Sequence, residues 1–240
     1  MRFPFVLVCL TPLCLVGAHA AHAQIEVGTF HNPGDENDNF GGVIVQSGDV
    51  VVIGAPTANN PVAAGGGAVY IYDANNPNEV LRTLYPSDSV QNDLFGGALA
   101  IEGENVLVGA LWKSDDEFEQ AGAAYIFDIT TGQEKRFFPE DSNHVAEFGS
   151  SVALCGNIAF VGSPNSDLSP SGAEGAVYVF DITTCVQLDK LIAPTPGVAD
   201  HFGETLAKRG GVLVVGSPGH DNNTGEAHVF DTTALQHTGT

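Results

Sequence analysis

The chain has 240 residues, 29 acidic against 8 basic, and a formal net charge of -21. Nucleic acid is excluded as a natural partner, because its phosphates would repel such a polyanion. Hydrophobic residues make up 43% and charged ones 15%, too apolar a balance for a disordered acidic chain, while 29 Gly and 13 Pro supply the turns of a loop-rich folded protein.

Residues 1–23 read as a secretory signal. Arg2 gives a short positive start, Phe3 to Val16 an apolar stretch, and Ala18-His19-Ala20 and Ala21-His22-Ala23 two small-x-small cleavage sites. Pro4 and Pro12 interrupt the stretch, which falls short of the ~20 apolar residues that span a bilayer. Cys14 follows Thr11-Pro12-Leu13 and lacks the small preceding residue of a lipid-anchored signal. The expectation is a cleaved chain, residues 24–240 forming one domain, secreted to the extracellular space or periplasm.

The dominant signal beyond residue 23 is repetition. Phe-Gly recurs at Phe40-Gly41, Phe95-Gly96, Phe148-Gly149 and Phe202-Gly203, spaced 55, 53 and 54 residues apart. A second block keeps the same phase: Gly54-Ala55-Pro56, Gly109-Ala110-Leu111, Gly162-Ser163-Pro164 and Gly216-Ser217-Pro218. A third follows each time, typified by Gly67-Ala68-Val69-Tyr70-Ile71-Tyr72-Asp73.

Each unit holds short extended runs and no helical period. Strand a follows Phe-Gly and places Ile44, Leu99, Val152 and Leu206 at one position. Strand b, as in Val50 to Ile53, is apolar on both faces, which suits an inner strand of a sheet covered on both sides. Strand c is β-branched and aromatic and ends at an Asp; strand d is typified by Val80 to Tyr85. The predicted fold is all-β: a β-propeller of four four-stranded blades, with the d-type strand at Ile25 to Phe30 closing the last blade. The alternative is half of a larger or dimeric propeller.

Phe-Gly, then Gly-Ala-Pro, then Gly-Ala-Val-Tyr-Ile-Tyr resembles the FG-GAP repeat of the integrin alpha-chain β-propeller and its relatives, and the resemblance covers nearly all of the chain after residue 23. It implies a non-enzymatic recognition or adhesion module whose ligand loops, b to c and d to a, share one face. Many relatives carry an Asp-rich calcium loop between strands a and b. Here that connection is only Gln46-Ser47-Gly48-Asp49 and its short counterparts, so the resemblance is to the branch without calcium, and neither metal nor cofactor is expected.

The acids gather in those loops, which reads as a site for a basic partner or as a solvated surface. Trp112, Asp115, Asp116, Asp167, His220 and Asp221 are the candidate ligand residues, because they differ between copies whereas repeated residues report packing. Trp112 suits a sugar or a protein hot spot, or fills space over a neighbouring blade. His144, His201 and His220 share the face without metal-like spacing. Phe40, Phe95, Phe148 and Phe202 are expected between blades. Cys155 and Cys185 fall in turns at one end of a single blade and are candidates for a disulfide or for two separate thiols. The favoured function is recognition of an extracellular protein or glycan, with a stalk domain and a carboxylate hydrolase as the other readings.

Overall fold

The computed structural model describes residues 28–114, 119–141, 145–169 and 172–232. Strands β1 (Ile44–Ser47), β2 (Val50–Ala55), β3 (Ala68–Asp73) and β4 (Asn76–Leu84) form the first antiparallel sheet in chain order. The second holds β5 (Phe95–Glu102), β6 (Asn105–Ala110), β7 (Ala123–Asp128) and β8 (Glu134–Phe137), and the third β9 (Val152–Cys155), β10 (Ile158–Ser163), β11 (Ala176–Asp181) and β12 (Gln187–Leu191). The fourth has three described strands, β13 (Thr205–Arg209), β14 (Val212–Ser217) and β15 (Glu226–Asp231).

The turns follow from local chemistry. Every a-to-b loop has two residues, and its first, Gly48, Gly103, Gly156 or Gly210, sits at φ between +56° and +60°. That is the glycine position of the tight hairpin turn whose twist matches the flanking strands. At the c-to-d turns, Asp128 Oδ1 accepts the Thr130 and Thr131 N–H groups at 2.9 and 2.7 Å, and Asp181 Oδ1 accepts those of Thr183 and Thr184 at 2.8 Å each. These bonds hold both carboxyls below the usual Asp range.

Alternation along the strands sends one set of side chains to the preceding sheet and the other to the following one. Val52, Val69 and Ile71 of the first sheet pack with Val106, Val108 and Tyr125 of the second; Leu107 and Ile126 then pack with Val161 and Tyr178 of the third, and Phe160 and Val179 with Leu213 and Val215 of the fourth. The cores therefore lie between blades, because a single sheet cannot cover either of its own faces. Each Phe after the first is fully buried and meets two rings of strand c edge-on, as Phe148 meets Tyr178 and Phe180 at 5.5 and 5.8 Å.

A backbone contact fixes the spacing. Gly67, Gly122 and Gly175 form isolated parallel bridges to Phe95, Phe148 and Phe202 of the following blade. The carbonyl oxygens of Gly96, Gly149 and Gly203 lie 2.2, 1.9 and 2.1 Å from where a Cβ would stand on Gly54, Gly109 and Gly162. Only glycine leaves room for that approach. The innermost strands β1, β5, β9 and β13 all line one central cavity of ≈ 510 Å³, across which Lys208 Nζ reaches Glu102 Oε2 at 3.0 Å.

The architecture is propeller-like, but the ring is open. Among the described residues, no strand of the N-terminal segment joins the fourth sheet, which the sequence led us to expect it to complete. Phe30 stacks on Tyr72 of the first sheet with centroids 5.0 Å apart, and the Tyr72 hydroxyl donates to the His31 carbonyl at 2.8 Å. Burial of the Tyr72 ring, 1% exposed, is the gain that holds the segment there. Residues 24–27, the start of that expected strand, lie outside the described residues.

The disulfide alternative also fails. Cys155 and Cys185 are not bonded to each other. Cys155 turns its sulfur toward the Gly210 carbonyl and Thr232 Oγ1 of the fourth blade, whereas Cys185 packs against the core shared with the second. Opposite faces of one sheet separate the two thiols.

Phe148→Ala is expected to cost about 3–5 kcal/mol. Phe40→Ala should cost distinctly less, because Phe40 is only half-buried at the open end. Urea unfolding of the two variants measures the difference.

Candidate functional site

The d-to-a and b-to-c loops lie on one face and are tied across blade boundaries. Asn92 N donates to Gly65 O at 3.1 Å, Val145 N to Glu119 O at 3.0 Å, and Ala199 N to Gly172 O at 3.3 Å. These loops thus inherit the rigidity of the sheets beneath them.

The Asp two residues before Phe organises its loop. Asp93 Oδ2 accepts the Val90 N–H at 2.7 Å, and Asp200 Oδ2 accepts the Gly197 N–H at 2.7 Å. Each then meets a basic side chain at one equivalent loop position: Lys113 Nζ at 3.0 Å from Asp93, and His220 Nδ1 at 2.9 Å from Asp200. In the third unit Ala146 replaces the Asp, and Ser166 stands where the base would be. Asp and base are present together or absent together in these three units. The first unit departs, with Ala58 at the basic position and Asn32 Nδ2 3.4 Å from Asp38.

The Lys113 neighbourhood is neutralised from within. Lys113 is buried and its ammonium also donates to the Asp88 carbonyl; the Asp88 carboxylate accepts Tyr125 Oη–H at 2.8 Å and pairs with Arg136, whose guanidinium lies 3.7 Å over the Phe138 ring. Burial pushes the Asp93 carboxyl upward against the opposing Val90 and Lys113 contacts, and pushes the Tyr125 phenol well above its usual value.

Trp112 immediately precedes this anchor. Its backbone N–H donates to Asp93 O at 3.3 Å, while its side chain stays 42% exposed. Asp115 and Asp116 lie outside the described residues, as does His144. Asp167 is a loop cap, its Oδ1 accepting the Ala173 N–H at 2.9 Å. Nearby, burial disfavours charge on Glu174, but hydrogen bonds from Ser169 Oγ and Leu168 N–H hold its carboxyl below the usual Glu range.

His220 and Asp221 meet in a surface pocket of ≈ 510 Å³ with Asp200, Asn222, Gly225 and Glu226. A left-handed turn builds it: Asp221, Asn222 and Asn223 have φ of 48°, 57° and 67°, which short polar side chains tolerate best. His220 Nε2 lies 3.5 Å from Glu226 Oε2, and His228 Nε2 3.6 Å from the same oxygen. The hydrogen bond to Asp200 raises the His220 pKa above 6.5, with Glu226 and Asp221 adding to the shift. Neither Trp112 nor Asp167 lines this pocket. The candidate residues therefore divide into a Trp112 site on the second unit and a His220 pocket on the fourth. Among the described residues, no cluster of His, Cys, Asp or Glu is arranged to hold a metal ion.

Sequence reasoning passed over Lys113 and Glu226, whereas the place of Asp38, Asp93 and Asp200 two residues before Phe leads to the expectation of a loop-capping role. A signal existed for the first: a basic residue is rare in this chain, and Lys113 stands where the other units have Ala58, Ser166 and His220.

A family model described as FG-GAP repeat matches residues 32–72, 81–127, 131–180 and 185–230. The chain belongs to the FG-GAP repeat family. No curated protein matches it. Among solved structures, this FG-GAP chain is similar to a chain of Kuenenia stuttgartiensis hydrazine synthase, at 15% identity and a TM-score of 0.56, over 88% of this chain and 51% of that one. It is likewise similar to a chain in the crystal structure of the mitotic checkpoint complex, at 14% identity and a TM-score of 0.52, over 80% of this chain and 47% of that one. At such identities the likeness is one of fold, and the FG-GAP chain spans about half the length of each neighbour.

Lys113→Ala should cost about 3–5 kcal/mol, because it strands the buried Asp93 carboxylate. Removing Asp93 as well, by Asp93→Ala, should recover part of that loss in urea unfolding. For His220, the raised pKa means that its contribution to stability is complete below about pH 6.5 and is lost as pH rises through the higher folded value. Imidazole NMR should give a midpoint above 6.5 that falls back toward it in Asp200→Asn.

Proposed function

We propose that this FG-GAP protein is a secreted, non-enzymatic recognition module that binds a partner protein through its loop face. The family is one of interaction propellers, which supports the interaction role. The observation that carries the reading is Trp112, a large apolar side chain left 42% exposed on a backbone fixed by Asp93 and followed by the buried Lys113. A pre-positioned aromatic loses little entropy on binding and is a common hot spot.

The surrounding charge gives the partner its chemistry. A chain of net charge -21 attracts a basic surface, and the attraction acts mainly on the association rate. Secretion rests on the reading of residues 1–23, and residues 24–240 would then be the working protein. No helix among the described residues is long and apolar enough to cross a membrane.

Trp112→Ala should weaken binding to basic partner proteins by about tenfold or more, with the circular dichroism unchanged, and added salt should slow association. Surface plasmon resonance against a panel of basic extracellular proteins, run beside a glycan array, measures both effects. Binding to no protein, or binding indifferent to Trp112→Ala, overturns the reading; glycan binding lost with Trp112→Ala would replace the protein partner with a sugar.

A further inference from the structure

Every blade boundary in the chain is directional and built alike. The trailing face of one blade offers two glycines and an apolar strip; the leading face of the next supplies Phe-Gly backbone and the first large residue of its inner strand. Sheets pack in this way from β2 to β5, β6 to β9 and β9 to β13, and among the described residues no boundary of comparable extent joins the fourth sheet to the first.

Both halves of the missing boundary are present and uncovered. On the fourth blade, a groove of ≈ 450 Å³ is lined by Thr205, Gly216, Pro218, Gly225 and Ala227. At Gly67, Gly122 and Gly175 the following Phe carbonyl lies 2.0–2.3 Å from a Cβ position, but at the equivalent Gly225 the nearest atom belongs to Pro218, at 3.5 Å. Val229 is 70% exposed, where its counterparts Ile71, Ile126 and Val179 are 2%, 4% and 0%. On the first blade, no atom lies within 4 Å of a Cβ position at Gly41, and Ile44 is 57% exposed, where Leu99 and Val152 are 7% and 8%.

The N-terminal segment indicates what belongs beside it. Phe137, at the end of the second blade's outer strand, stacks on Phe180 of the third at 5.1 Å, and Phe30 stacks on the equivalent Tyr72 at 5.0 Å. Residues 28–33 thus occupy the place of the outer strand of a blade preceding the first, and the only blade with an unpaired third strand among those described is the fourth.

We propose that two copies of this chain associate head to tail. Phe40-Gly41 of each copy enters the Gly216 and Gly225 groove of the other, and residues 28–33 of each lie beside the other's β15. A second copy is the fitting occupant because each carries both complementary halves, so one two-fold axis makes two identical junctions and leaves no face over. The result is a closed ring of eight blades. Both copies are polyanions, so added salt tightens the pair, opposite to its effect on a basic partner.

Light scattering on the full secreted chain tests the pairing. The expected mass is twice that of one chain, falling to one on dilution. Val229→Asp and Ile44→Asp each alter an exposed residue, so circular dichroism should be unchanged, and each should raise the dissociation constant by about a hundredfold. Mixing the two variants should restore a one-to-one pair, because one junction then has two native halves. A wild-type monomer at every concentration, an open series of larger assemblies, or a Val229→Asp chain that pairs like the wild type overturns the proposal.

Discussion

The structure depends on how closely two backbones approach at each blade boundary. A propeller sheet is apolar on both faces, so it is stable only between neighbours, and the neighbours must come near enough to exclude water. Here the limiting contact is a carbonyl oxygen from one Phe-Gly pair seated against a glycine of the preceding strand b, with no space for a methyl group. Around that point the Phe ring, the aromatic pair of strand c and the branched side chains of strand b close the core. The repeat seen in the sequence is the record of this junction: Phe and Gly on one side, Gly and small residues on the other.

Blade identity, strand order and the tight lower turns were legible because each is written four times and each has a local physical cause. Phe95, Phe148 and Phe202 could be placed between blades from periodicity alone, whereas Phe40, written in the same pattern, is half-buried with no described blade before it; the short connections at Gly48, Gly103, Gly156 and Gly210 could be read as tight turns. Ring closure was not legible. The segment ending at Phe30 has the right pattern for an outer strand, and its contact with Tyr72 matches that of Phe137 with Phe180 of the next blade, but pattern does not say whose sheet such a strand joins. The Cys155 and Cys185 question failed for a similar reason: nearness to one end of a blade says nothing about which face a side chain takes.

The loop face was legible as acidic and only partly as a site. Trp112 and the His220 and Asp221 pair stand out because they break the repeat, and the structure gives both an exposed setting. It separates them, however, into different units, and it reassigns Asp167 to holding its own loop. The pairing of Lys113 with Asp93 and of His220 with Asp200 was hidden because it is relational: each partner lies some 20 residues away in sequence, across a loop whose course depends on the next blade.

That pairing of acid with base changes where the charge of the protein is felt. Lys113, Arg136 and His220 sit against Asp93, Asp88 and Asp200, and Asp93, Asp128, Asp167, Asp181, Asp200 and Glu174 are engaged by backbone amides. The total is unchanged, because Lys113 and Arg136 already enter the net charge of -21 and a hydrogen-bonded carboxylate stays ionised. An approaching cation is therefore drawn least where a base already sits against an acid, and most where the acids have no base beside them.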